Sequence, residues 1–235
     1  MKLTKMIDKY TYPKTPSDDK GFTILELLIA TAISSGAILL LMFGFLSMSV
    51  TYTKGLTVAE TQNTARDVLN TVSQSIEFAD PATINPAYIN TPSATSASGW
   101  FCANNSIFVY TLGVKVTSTT HALVENSILG DSGCPNSGIT TATDYINSNT
   151  TAQELLGPNM RLTAFNVRAG ADNTYTINIK VAYGEDAVLQ GSTIYDENPL
   201  YYDIGSNQVK CNGQIGQDFC ATSALQTVVE SRLAN

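Results

Sequence analysis

Apolar positions crowd one end of this chain. Residues 22 to 50 read FTILELLIATAISSGAILLLMFGFLSMSV, with Glu26 as the only charge, and nothing charged occurs from Leu27 to Thr53. About 20 apolar residues at ~1.5 Å each cross a ~30 Å hydrocarbon core, so the run predicts a helix able to span a bilayer. It does not end in a turn. Past Lys54 the pattern becomes amphipathic: Ala65, Val68, Leu69, Val72, Ile76 and Ala79 recur at three- and four-residue spacing, with Glu60, Gln62, Arg66, Asp67, Asn70 and Gln74 between them. Asp80-Pro81 is a natural stop, because the residue before a proline is driven out of the helical region. One helix from about Phe22 to Ala79 is expected, roughly 87 Å long.

Beyond it the pattern shortens. Residues 81 to 99 (PATINPAYINTPSATSASG) hold three prolines among small polar residues and read as a connecting loop. Residues 106 to 116 (SIFVYTLGVKV) alternate as a strand does, and residues 130 to 151 look like an irregular insertion. Residues 161 to 168 and 174 to 183 flank Ala169-Gly170-Ala171-Asp172-Asn173, a hairpin signal. Residues 200 to 204 and 208 to 211 suggest a further strand pair around Gly205-Ser206, and 224 to 233 is an apolar segment, strand or short helix. The expected class is α+β, a long N-terminal helix against an antiparallel sheet. The expected divisions are 1–21 as leader, 22–53 as membrane or filament-core helix, 54–80 as its amphipathic half, and 81–235 as a β-rich head.

Composition sharpens this. Charged residues make up 14% of 235, well below the ~25% of ordinary soluble domains. The length suits one globular domain plus an anchor. Five lysines against three aspartates give the first 21 residues a charge of +2 and leave −9 for the rest. Lysines before a spanning helix stay on the cytoplasmic side, which sends the C-terminal bulk outward. Four cysteines in that bulk suit an oxidising compartment.

The chemistry of an enzyme is thin. A single histidine, His121, excludes any scheme that needs two imidazoles, and no phosphate-binding glycine loop, HExxH or G-x-S-x-G occurs. His121, in HALVEN, reads as a surface or capped residue, and no cofactor or metal is implied. Glu185-Asp186, Asp196-Glu197 and Asp203 read as a solvated acidic loop in preference to a calcium site, since no EF-hand pattern frames them. Trp100 and the eleven tyrosines read as core, strand and interface residues. Without any Cys-x-x-Cys, disulfides are favoured over zinc. Cys102, Cys134, Cys211 and Cys220 allow three pairings, of which Cys102–Cys134 and Cys211–Cys220 each close a local loop.

Three readings of the N-terminus compete. A secretory signal has an apolar core of ~7–15 residues and a small-x-small cleavage site, which residues 37 to 46 followed by Ser47-Met48-Ser49 would supply. A plain membrane anchor is the second. Neither accounts for Glu26, and a carboxylate in a spanning helix is costly enough to be a functional candidate by default. The third starts from Lys20-Gly21-Phe22-Thr23-Ile24-Leu25-Glu26, which resembles the processing site of type IV prepilins and pseudopilins. That resemblance implies a membrane peptidase that cuts after Gly21 and methylates the new N-terminal Phe22, with Glu26 at the fifth mature position, where the family keeps a glutamate. Cleavage would create an α-amino cation, of reference pKa ~7.7–8.0, at the head of an apolar helix. Buried, it needs a partner, which Glu26 provides on its own chain or to a neighbouring subunit. The helix N-terminus favours a carboxylate there as well.

The resemblance also implies a pilin-like fold, no enzymatic activity, and partners: other pilin or pseudopilin subunits, a prepilin peptidase, an inner-membrane assembly platform, and the lipid bilayer before assembly. The expected location is a single-pass membrane protein with cytoplasmic leader and exported head, then a cell-surface or periplasmic filament. Ala30, Ala32, Ser34, Ser35, Gly36, Ala37 and Gly44 would admit close helix approach. Many major pilins carry a proline within the apolar segment, and this chain has none there. Gln62-Asn63-Thr64-Ala65-Arg66-Asp67-Val68-Leu69 is similar to the segment after the membrane helix in W-type minor pilins and J-type minor pseudopilins, which points to a minor subunit. The Cys211–Cys220 pairing resembles the disulfide-closed loop near the end of many pilins. The rival reading is a pilin-anchored surface adhesion or DNA-uptake module. Its nucleic-acid contact would come from a local patch at Arg161, Arg168 and Lys180, against the −9 charge.

Overall fold

The computed structural model describes residues 21–81, 84, 98–127, 134, 138–185, 188–190, 209–212 and 219–232. Helix α1 spans Ile24–Glu77, 54 residues without a break, two residues shorter at each end than the pattern suggests. The chain divides into two compact units between Ser47 and Met48. In the first unit every described residue is exposed, although the most apolar stretch of α1 has a mean hydropathy of 2.2. By length and composition this helix can cross a membrane.

In the second unit α1 turns one stripe inward. Thr57, Thr61, Ala65, Val68, Val72 and Ile76 are buried, at spacings of three and four residues. The apolar members match the predicted face. Thr57 and Thr61 extend it with hydroxyls that donate back to Thr53 O at 3.0 Å and Thr57 O at 2.8 Å, so neither enters the core unsatisfied.

The stripe meets two antiparallel sheets. One joins β1 (Ser98–Ala103), β2 (Ser106–Thr111), β3 (Leu123–Ser127) and β4 (Gln153–Glu154) in that order. Helix α2 (Ala142–Ser148) lies in the connection between β3 and β4. The other sheet holds β5 (Met160–Ala169), β6 (Thr174–Tyr183) and β9 (Ala221–Glu230), with β6 central. A two-stranded ribbon pairs β7 (Leu189–Gln190) with β8 (Lys210–Cys211). Residues 113–116 stitch the two larger sheets together: Gly113 N–H donates to Leu162 O and Val116 N–H to Met160 O, both at 2.8 Å. The core between helix and sheets gathers Phe101, Phe108, Tyr110, Leu162, Phe165, Ile177, Ile179 and Val181. Phe165 ties the sheets through ring contacts with Phe101 (5.8 Å between centroids) and Tyr110 (5.1 Å). The Tyr110 ring lies over Gly99 of the neighbouring strand, where any Cβ would run into it.

The end of α1 is closed by the end of the chain. Arg232 N–H donates to Glu77 O at 2.9 Å, its guanidinium pairs with the Glu77 carboxylate at 2.5 Å, and Ser231 Oγ donates to Ala79 O at 2.5 Å. Carbonyls that a helix C-terminus leaves without intrahelical donors are thereby satisfied.

Several expectations are corrected. Residues 130 to 151 are not wholly irregular, since α2 forms there, with Thr141 as N-cap accepting from Asp144 N–H at 3.1 Å. Seven residues are too few for periodicity to reveal, but Thr141-x-x-Asp144 carries the capping spacing. Strand β1 takes up Ser98 and Gly99 from the expected loop, and β3 occupies most of HALVEN. The 106–116 strand stops at Thr111, because Gly113 (φ 77°) turns the chain across to β5. Residues 200 to 204 lie outside the described residues, and β8 pairs with β7. The C-terminal segment is strand β9, paired along its length with β6.

The cysteines pair as Cys102–Cys134 (Cα–Cα 6.0 Å) and Cys211–Cys220 (5.7 Å). Loop-closure entropy gives the longer link ~3–4 kcal/mol and the shorter ~2–3 kcal/mol. Truncating the stripe at Ile76→Ala should cost the folded unit about 2–5 kcal/mol, whereas Leu25→Ala in the exposed half should leave its stability unchanged. Thermal melts of the two variants in detergent, followed by near-UV circular dichroism, check both.

Candidate functional site

The N-terminal end of α1 carries the predicted processing residues. Gly21, Phe22 and Thr23 precede the first helical turn in non-helical backbone, and Phe22 is 86% exposed. Thr23 N–H donates to Glu26 Oε2 at 3.0 Å, Thr23 Oγ1 donates to the same oxygen at 3.1 Å, and Glu26 N–H donates to Thr23 Oγ1 at 3.2 Å. This is a reciprocal capping box, which satisfies the free amides of a helix start from both sides. Glu26 thus has work on its own chain that a charge-pairing account overlooks. The signal was in the sequence as Thr23-x-x-Glu26 directly before an apolar run. Placed one turn from Phe22, the carboxylate also sits where the helix dipole favours an anion.

Elsewhere the structure redistributes the candidates. His121 is not a surface residue: it is mostly enclosed, its Nδ1 3.4 Å from Glu154 Oε2. The Glu154 carboxylate accepts the backbone N–H groups of Ala122 (2.8 Å), Leu123 (3.1 Å) and Leu156 (3.0 Å). Thr143 Oγ1 accepts from His121 N–H at 2.9 Å. These bonds fasten α2, β4 and the start of β3 to one another, a structural task that nothing in the local pattern of HALVEN announces. Burial pushes the Glu154 carboxyl above its ordinary value, opposed by its three amide donors and by His121.

The basic patch does not form. Arg161 is 1% exposed and donates from Nη2 to Gly184 O at 2.8 Å, Lys180 is 8% exposed, and of the three only Arg168 is at the surface. Glu185 is exposed and pairs with Lys115 at 2.6 Å, while Asp186, Asp196, Glu197 and Asp203 lie outside the described residues. Among the described residues no three of His, Cys, Asp and Glu cluster as metal ligands would. All four cysteines are committed to disulfides, and Trp100 is half-buried on the outer face of the four-stranded sheet.

Fold and site together define an α+β protein whose long apolar N-terminal helix continues into packing on antiparallel strands, an arrangement compatible with a pilin-like fold. No protein-family model matches the chain, and comparisons with curated proteins and with solved structures likewise find no match.

Removing the cap with Thr23→Ala should cost about 1 kcal/mol at the helix start, read as faster amide exchange over residues 23–27 in micelles, with Thr23→Ser preserving the wild-type rate. For Glu154 the raised folded-state pKa means that the native chain holds the proton more tightly than the unfolded one. Its contribution is therefore full below the unfolded value and is lost as pH rises through the folded value. Glu154→Gln should flatten that part of the stability profile, on the alkaline side of the ordinary glutamate value of ~4.3, and melts at a series of pH values rising from there check it.

Proposed function

We propose that this chain is a structural subunit, of the minor class, of a type IV pilus or type II secretion-like pseudopilus. On this reading it is cleaved after Gly21, methylated at Phe22, and assembled through its N-terminal helix, with the head exported. The observation that carries the proposal is the continuity of α1. A single helix leaves its side chains exposed over residues 24–50, predominantly apolar and with Glu26 as the one charge, then supplies a core stripe from Thr57 to Ile76. An apolar surface of that extent is not left in water. Before assembly lipid would cover it, and afterwards the equivalent helices of neighbouring subunits.

Three further observations support the reading. Lysines precede the apolar run, and both disulfides lie beyond it, as an outward head requires. The cleavage point falls in non-helical, exposed backbone just ahead of a capped helix. The bonds that Thr23 gives to Glu26, one from its backbone N–H and one from its hydroxyl, both fall on Oε2, so Oε1 can meet the ammonium of a neighbouring Phe22 while the cap stays intact. The DNA-uptake alternative loses its patch with the burial of Arg161 and Lys180.

The first test is the mass of the N-terminal peptide from the native membrane. Methylated Phe22 is expected; a start at Val50 would make the protein a secreted domain, an intact Met1 a plain anchor, and either overturns the proposal. Gly21→Val should block cleavage. Glu26→Val and Glu26→Gln should both be processed yet enter filaments at least about tenfold less well, equivalent to ~1.4 kcal/mol. Because Gln keeps an oxygen acceptor for the cap, normal incorporation of Glu26→Gln would assign Glu26 to capping alone.

A further inference from the structure

We propose that residues 138–152 form a disulfide-latched cover over the outer face of the four-stranded sheet, held shut by Cys102–Cys134 and released when that bond is reduced. The proposal is independent of filament assembly and needs only an oxidising setting in which the bond forms.

Strand β2 is apolar on both faces. Phe108 and Tyr110 face the core beneath α1, while Ile107 and Val109 point the other way and join Cys102 and Val124 in a separate cluster. What closes that second cluster is thin. Of the cover's residues only Ala142 is fully buried; Ile139, Tyr145, Ile146 and Ala152 pack against the cluster partly buried. Its one helix, α2, has seven residues, far short of the ~12–15 at which an isolated helix begins to hold in water.

The remaining ties are hydrogen bonds, among them His121 N–H to Thr143 Oγ1 at 2.9 Å and Thr143 Oγ1 to His121 O at 3.3 Å. Ala142 N–H donates to Thr111 Oγ1 at 2.9 Å, Asn126 Nδ2 to Tyr145 Oη at 3.1 Å, and Thr151 Oγ1 to Asn126 Oδ1 at 2.8 Å. The Asn126, Tyr145 and Thr151 bonds are only part-buried and exchange for bonds to water, whereas the Ala142 bond is buried. The covalent link joins Cys102, within the apolar cluster itself, to Cys134, which packs against the same cluster just before the cover begins. Cys211–Cys220 joins β8 to the residue before β9 and takes no part in this layer.

Opening requires a dithiol reductant, as an exported thiol–disulfide oxidoreductase or dithiothreitol supplies. Cys134, the less buried residue of the pair, is attacked at Sγ by one thiolate; the Sγ–Sγ bond breaks and Cys102 leaves as a thiolate that takes up a proton. The reductant's second thiol then displaces Cys134, which leaves two thiols on the protein and one disulfide on the reductant. Two electrons and two protons have moved. The cover then lifts and exposes Trp100, Ile107, Val109 and Val124, an apolar strip of the kind that marks binding surfaces. On the other side of the same strands the core under α1 stays closed.

Full-length protein in detergent micelles is treated with dithiothreitol, both as wild type and as Cys211→Ser/Cys220→Ser. Trp100 is the only tryptophan, so acrylamide quenching reads this surface directly, and amide exchange compares residues 138–152 with β5 and β6. The expected result is a severalfold rise in quenching and exchange over the cover, unchanged protection in β5 and β6, and reversal on reoxidation. Cys102→Ser/Cys134→Ser should show the open behaviour without reductant. Unchanged Trp100 quenching after complete reduction of the wild type would overturn the latch, as would loss of β5–β6 protection in step with the cover. The wild-type measurement needs no variant to fold.

Discussion

The folded unit depends on one contact: the inward stripe of α1 lying across two sheets at once. Val68, Val72 and Ile76 are β-branched, poorer helix formers than leucine, and with Ala65 they hold a helix here because tertiary burial outweighs propensity. Their modest size lets the rings of Phe101, Phe108, Tyr110 and Phe165 fill the space between helix and strands. Because Phe165 comes from one sheet and Phe101 and Tyr110 from the other, the helix seals a seam that neither sheet could close alone. The bonds from Arg232 to Glu77 O, the last carbonyl of α1, and from Ser231 to Ala79 O just beyond it then fix where the stripe ends.

Much of this was legible because it rests on period. The spacing of Ala65 to Ile76 marked the buried face, and residues 174 to 183 alternated so regularly that β6 begins and ends where the pattern did. The losses have a common physical origin. Strand β1 was hidden because its first residues, Ser98 and Gly99, are small and polar, and Gly99 is required by a ring on the next strand. Helix α2 was hidden because two turns carry too few apolar residues to show a face. Arg161 and Lys180 were placed at the surface by residue type, and the structure buries both in the β5–β6 pair.

At the candidate site the balance is similar. Gly21, Phe22 and Glu26 were legible as a heptad with the spacing of a processing signal, and the loop-closing cysteine pairs are the pairs that the structure holds. The Thr23 half of the cap is the weaker signal, because a costly carboxylate in an apolar helix points first to a cation and a hydroxyl three residues away carries no charge. His121 and Glu154 meet across 33 positions, and no local pattern encodes such a contact.

The hydroxyls of α1 explain how one helix serves two environments. Thr31 Oγ1 donates to Leu28 O at 3.0 Å and Ser35 Oγ to Ala32 O at 2.9 Å in the exposed apolar half. Thr53, Thr57 and Thr61 do the same to Ser49, Thr53 and Thr57 toward the packed half. Each such hydroxyl gives its proton to the helix's own backbone and asks nothing of its surroundings, which lipid, a neighbouring helix or a protein core can then supply equally. Glu26 is the exception. Its capping bonds satisfy oxygen lone pairs but leave a full negative charge, and in an apolar medium only a cation offsets that. These hydroxyls are therefore satisfied within the helix, while Glu26 stays open to charge, one turn from the residue where processing would create a new ammonium.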